Sequence, residues 1–106
     1  NILIDSPTKV ENENQNPESF ELYQNYPNPF NPSTTIKYKI NSERPVTVNL
    51  KIFDTSGSLV EKLFTGMQNN GEYSFVWDAS RYSNGNYFAR LEINGFYKVI
   101  KLILLK

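Results

Sequence analysis

The chain has 106 residues, enough for one domain with a modest core. It holds no Cys and no His, which excludes a disulfide framework, a thiolate or imidazole metal centre and the commonest general base. Eleven basic and eleven acidic residues cancel, which argues against a nucleic-acid partner, and the longest apolar run, residues 102–105, is far too short to cross a bilayer.

The chain starts at Asn1 with no basic-then-apolar export segment, and so reads as a piece of a longer protein. Ile2-Leu3-Ile4 suggests the tail of an upstream domain. The polar tract 11–18 buries too little apolar surface to offset ordering entropy. We therefore expect a linker over 1–19 and one domain over 20–106. Phe20, Leu22 and Tyr23 give a short first strand. Tyr26-Pro27-Asn28-Pro29-Phe30-Asn31-Pro32 then forbids helix, because each proline fixes φ, lacks an amide donor and pushes its predecessor into extended geometry.

A second strand over 34–40 places Ile36, Tyr38 and Ile40 on one face and Thr35, Lys37 and Lys39 on the other. A third over 46–54 turns Val46, Val48, Leu50 and Ile52 inward. Residues 54–58 form a short loop, with Gly57 suited to positive φ. A fourth strand over 59–64 leaves its inward face open between Leu59/Leu63 and Val60/Phe64, and 66–71 reads as a loop. Tyr73, Phe75 and Trp77 alternate as a fifth strand, and 78–85 is a polar connection of the kind that carries a chain between sheets.

Asn94-Gly95 is a type I′ turn signal. With that pair at the tip, Ile93 faces Phe96, Leu91 faces Lys98, Ala89 faces Ile100 and Tyr87 faces Leu102. One side of the hairpin is then apolar except for Lys98, which sits near enough to the tip to snorkel. Seven short strands without a helix predict an all-β fold, a seven-stranded antiparallel β-sandwich of immunoglobulin-like or fibronectin-like arrangement, with an open barrel as the competing architecture.

Chemistry finds little foothold. Asp54, Glu72 and Asp78 lie at strand ends without metal-ligand spacing, and turn amides explain Asp54 and Asp78 more simply. No acid pair is selected for hydrolysis, and no serine has a histidine to activate it. We expect no enzyme activity, no cofactor and no metal. Trp77, Tyr73 and Phe75 read as core rather than as a sugar platform, and Tyr26, Tyr82, Phe88 and Tyr97 as scattered exposed aromatics of the ordinary kind. Lys98, Lys101 and Lys106 form a spaced basic edge on the last strand, explained by protection against edge pairing.

Taken together, Tyr26-Pro27-Asn28-Pro29-Phe30-Asn31-Pro32, then Ile52-Phe53-Asp54-Thr55-Ser56-Gly57, Trp77-Asp78, Gly85-Asn86-Tyr87-Phe88-Ala89-Arg90 and a closing lysine-bearing strand resemble one family over about residues 20–106. It is the type A C-terminal sorting domain of the type IX secretion system, related to the immunoglobulin-like domain of the flagellar hook-capping protein. The resemblance implies a non-catalytic domain that directs an upstream passenger across the outer membrane, through the periplasm, to secretion or surface anchoring. It implies an outer-membrane translocon and a sortase-like peptidase as partners, no nucleic acid, and a monomer. The recognition residues it implies are Pro27, Asn28, Pro29, Phe30, Asn31, Pro32, Gly57, Gly85, Tyr87, Lys98, Lys101 and Lys106. Two alternatives remain: a carbohydrate-binding or spacer module of a secreted polysaccharide-degrading enzyme, and a hook-cap-like assembly domain.

Overall fold

The computed structural model describes residues 19–106, so the stretch expected as linker lies outside the described residues up to Ser19, which already pairs with Asn41. Seven strands follow one another: β1 (Ser19–Leu22), β2 (Ser33–Asn41), β3 (Val46–Asp54), β4 (Leu59–Gln68), β5 (Gly71–Asp78), β6 (Gly85–Ile93) and β7 (Phe96–Leu104). They form two antiparallel sheets, β1-β2-β5 and β4-β3-β6-β7. The order is that of a fibronectin-like sandwich, with the fourth strand beside the third rather than on the smaller sheet. The open barrel is thereby ruled out.

Alternation decides what each sheet buries. Ile36, Tyr38 and Ile40 from β2, Val46, Val48, Leu50 and Ile52 from β3, and Ala89, Leu91 and Ile93 from β6 are all buried, while Lys37 and Lys39 are exposed. Trp77, fully buried, packs on Phe30, Tyr82 and Tyr87 with ring centroids 5.7, 5.7 and 5.4 Å away. Its indole N–H donates to Glu61 Oε1 at 3.0 Å, so burial leaves no orphaned donor. The connection after β5 crosses from the small sheet to the large one, as its length and polarity predict.

The terminal hairpin takes the expected register residue for residue. Asn94 and Gly95 both have positive φ, 51° and 90°, as a type I′ turn requires. The fourth strand departs from expectation. It runs on through Gly66 to Gln68, and its register against β3 shifts twice, between Leu50/Lys51 and between Ile52/Phe53. Each bulge resets the side-chain alternation. Val60, Leu63 and Phe64 therefore all pack against the core, and neither face proposed from the sequence is followed throughout.

Tyr38 is fully buried between the sheets, stacked near Tyr73 and Phe75, and its hydroxyl donates to Gln68 Oε1 at 2.5 Å. Desolvation raises its phenol to about 12 from the ordinary 10. The folded state therefore favours the neutral phenol, and this contribution is intact below pH 10 and lost as pH climbs towards 12. Denaturant unfolding at stepped alkaline pH should show that decline, and Tyr38→Phe should flatten it.

Candidate functional site

The last strand and the proline segment form one structure. In a two-residue hairpin with Ile93 opposite Phe96, the even-numbered residues of β7 exchange hydrogen bonds with β6, and the odd-numbered ones turn their peptide groups outward. β7 is an edge strand, so those groups need other partners. The proline segment supplies them along half the strand. Phe30 N donates to Ile103 O at 2.9 Å, Leu105 N donates to Phe30 O at 3.0 Å, and Phe30 bridges Leu104 in parallel. Asn28 Oδ1 accepts from Ile103 N at 2.9 Å, and Gln24 Nε2 donates to Lys101 O at 2.8 Å.

Proline composition makes this clamp stiff. Its Tyr26-Pro27, Asn28-Pro29 and Asn31-Pro32 peptide bonds are cis. Buried Asn25 donates through Nδ2 to Thr34 Oγ1 at 2.9 Å, and the Thr34 hydroxyl donates to Pro27 O at 2.8 Å. Tyr26 and Thr35 exchange backbone hydrogen bonds, and Ala79 N donates to Pro32 O. The Phe30 ring is 2 % exposed and lodges against Trp77. Pro27, Pro29, Asn31 and Pro32 are exposed around it.

The other residues singled out from the sequence sort by register. Asp54 faces Tyr87, Tyr87 faces Leu102, and Gly85 faces Leu104, so the loop holding Gly57, the start of β6 and the clamp share one end of the sandwich. Gly57 and Gly85 have φ of 88° and 146°, where a side chain is strained. Tyr87 donates from its hydroxyl to Ser83 O at 2.6 Å, the tyrosine corner of such sandwiches. Asp54 serves its turn: the Ser56 hydroxyl and the Ser58 amide hold its carboxyl below the usual range. Asp78 is lowered likewise by the Ser80 amide.

The basic edge does not form a single strip. Lys98 points inward, its ammonium 4.9 Å from the Phe20 ring centroid and donating to Phe20 O at 2.7 Å, which ties β7 to β1. Lys106 donates to Ser80 O at 2.7 Å. Lys101 lies on the opposite face, across from Phe88. Nor is the last strand free at its C-terminus, as an exposed edge would be. What stays open among the described residues is the stretch from Tyr97 to the Lys101 N–H, whose peptide groups at Tyr97 and Val99 face outward and whose Tyr97 and Val99 side chains are exposed. The sequence reading missed Gln24, Asn25 and Thr34, whose roles depend on partners that only the fold brings near.

A sandwich with a tyrosine corner, its last edge strand half-sheathed by an N-terminal proline clamp, belongs to the class of immunoglobulin-like modules. The family model described as the secretion system C-terminal sorting domain matches residues 24–105, from the clamp to the end of β7. The chain belongs to this family, the sorting domains of type IX secretion, and is part of a secreted or cell-surface protein. Among solved structures it is similar to dimeric latent PorU from Porphyromonas gingivalis, with a TM-score of 0.65 and 22% identity over 85% of this chain and 10% of that one. It thus spans about a tenth of that protein, and the likeness is one of fold. The alkylpurine DNA glycosylase AlkC of Pseudomonas fluorescens, bound to DNA containing an abasic site analog, aligns at a TM-score of 0.45 with 14% identity over 82% of this chain and 30% of that one. No curated protein sequence matches.

Asn28→Ala should deprive the Ile103 amide of its acceptor and weaken the clamp by about 1 kcal/mol. Hydrogen exchange at Ile103 and Leu105 should accelerate while the amides of β3 stay protected. Phe30→Ala, which also opens the core beside Trp77, should cost about 3–5 kcal/mol.

Proposed function

We propose that the folded domain is itself the export signal and that the type IX outer-membrane translocon reads it at the open stretch of β7. The passenger lies upstream, joined through the linker over 1–19. A sortase-like peptidase cleaves within that linker after passage from the periplasm, and the passenger is released or anchored at the surface. The domain acts as a monomer and catalyses nothing. The observation that carries this reading is the split edge of β7. Gln24, Asn28 and Phe30 occupy the C-terminal half from the Lys101 carbonyl onward, and the stretch from Tyr97 to the Lys101 N–H keeps outward peptide groups that an incoming strand would complete. The clamp residues from Pro27 to Pro32, with Gly57, Gly85 and Tyr87, hold the strand end in place, and Lys101 supplies charge beside the open stretch.

The test fuses a passenger, with an ordinary signal peptide, to the chain in a bacterium that has the type IX machinery. Lys98→Gln is a poor probe, because it also breaks the bond to Phe20 O. Val99→Pro removes an outward-facing donor and no ladder bond, a placement that edge strands tolerate. The unaltered fusion should reach the medium or the surface, and the folded Val99→Pro fusion should accumulate in the periplasm. Undiminished export of Val99→Pro would remove the edge from the mechanism, and periplasmic retention of the unaltered fusion would end the export reading.

A further inference from the structure

The solvent face of the four-stranded sheet carries a charge pattern that the chain's overall neutrality hides. Lys62 on β4 faces Lys51 on β3, and Lys51 faces Arg90 on β6. Three cations thus stand in one row at intervals of about 5 Å, the spacing between strands. Like charges directly opposite each other destabilise a sheet. Among the described residues of this face one acid answers them, Glu92, 3.7 Å from Arg90 and about as exposed as it, so the pair contributes little.

Apolar rings flank the cations. The neighbouring row, about 7 Å along the strands, is Leu59, Phe53, Phe88 and Lys101. The Arg90 guanidinium lies 4.9 Å from the Phe53 centroid and 5.6 Å from that of Tyr97, which holds it on the face instead of leaving it a free arm. The export reading uses this face only at its β7 margin, at Tyr97 and Lys101, and leaves the row Lys62, Lys51, Arg90 without a role.

We propose that this face binds an acidic polysaccharide, with its anionic groups over the row Lys62, Lys51, Arg90 and its sugar rings against Phe53, Phe88 and Tyr97. A straight row of cations at a regular interval complements a repeating polyanion. The fork of the Arg90 guanidinium matches a carboxylate in two-point contact. β3 and β6 are interior strands whose peptide groups are used within the sheet, so a ligand here is read by side chains alone. That disfavours an extended peptide, which takes main-chain hydrogen bonds from an edge. Phe53 and Phe88 are half-buried, which leaves ring area for a sugar to pack on and does not suit insertion into bilayer hydrocarbon.

The experiment titrates the whole chain with polygalacturonate, with neutral dextran and with phosphatidylglycerol vesicles, at low and moderate salt. Polygalacturonate should bind with a salt-dependent affinity, and dextran and vesicles should not. The double variant Lys51→Gln/Lys62→Gln should bind about tenfold or more weakly. Its melting temperature should stay level or rise, because the like-charge row is relieved. Lys37→Gln/Lys39→Gln removes the same charge from the opposite sheet and should leave binding unchanged. Equal binding of dextran, binding of vesicles alone, full affinity in the Lys51/Lys62 variant, or an equal loss in the Lys37/Lys39 variant would each overturn the proposal.

Discussion

The peptide group of Phe30 joins the start of the described fold to its end. Its N–H donates to Ile103 and its C=O accepts from Leu105, while its ring fills the space beside Trp77. An edge strand that closes a sandwich leaves alternate peptide groups unpaired within its own sheet. A proline-rich segment suits the task of covering them. It cannot propagate a sheet, because it lacks donors at Pro27, Pro29 and Pro32, so it covers half of β7 and stops. The remaining half is left as the accessible edge, and the export reading rests on that division.

Two kinds of lysine accompany this edge, and their physics differs. Lys98 and Lys106 have their ammonium groups on main-chain carbonyls, where they fasten the last strand to β1 and to the loop after β5. An inward lysine at a sheet edge also discourages unplanned pairing with other strands. Lys101 lies on the outer face beside Phe88, where charge remains available to a partner. The same outer face holds the row Lys62, Lys51, Arg90, a local cost in like-charge repulsion that a purely structural sheet would not need.

The core is aliphatic along most of its length and aromatic at one end. Trp77, Tyr82, Tyr87 and Phe30 fill the end of the sandwich where the clamp, the tyrosine corner and the Gly57 loop meet. A recognition module needs a rigid surface of stable shape, and aromatic packing with satisfied hydroxyl and indole donors provides that. The carboxylates that could be mistaken for a metal site, Asp54 and Asp78, are occupied with turn amides and serine hydroxyls.

The sequence by itself determined whatever depends on neighbours along the chain. The alternation of Ile36, Tyr38 and Ile40, the run from Val46 to Ile52, and the register of the last hairpin were all legible, because strand period and turn chemistry are local properties. The ordered motifs also sufficed to indicate the family. The tertiary structure alone decided the rest. Asn28 meets Ile103 across 75 residues, and Gln24 meets Lys101 across 77. The two bulges of β4 arise from fitting that strand to β3, so no periodicity within 59–68 could reveal which side chains face inward. The row of three cations exists only because β4, β3 and β6 lie side by side. Hydrogen-bond partners and charge neighbours across strands are set by sheet order and register between distant segments, and a linear pattern of residues contains neither.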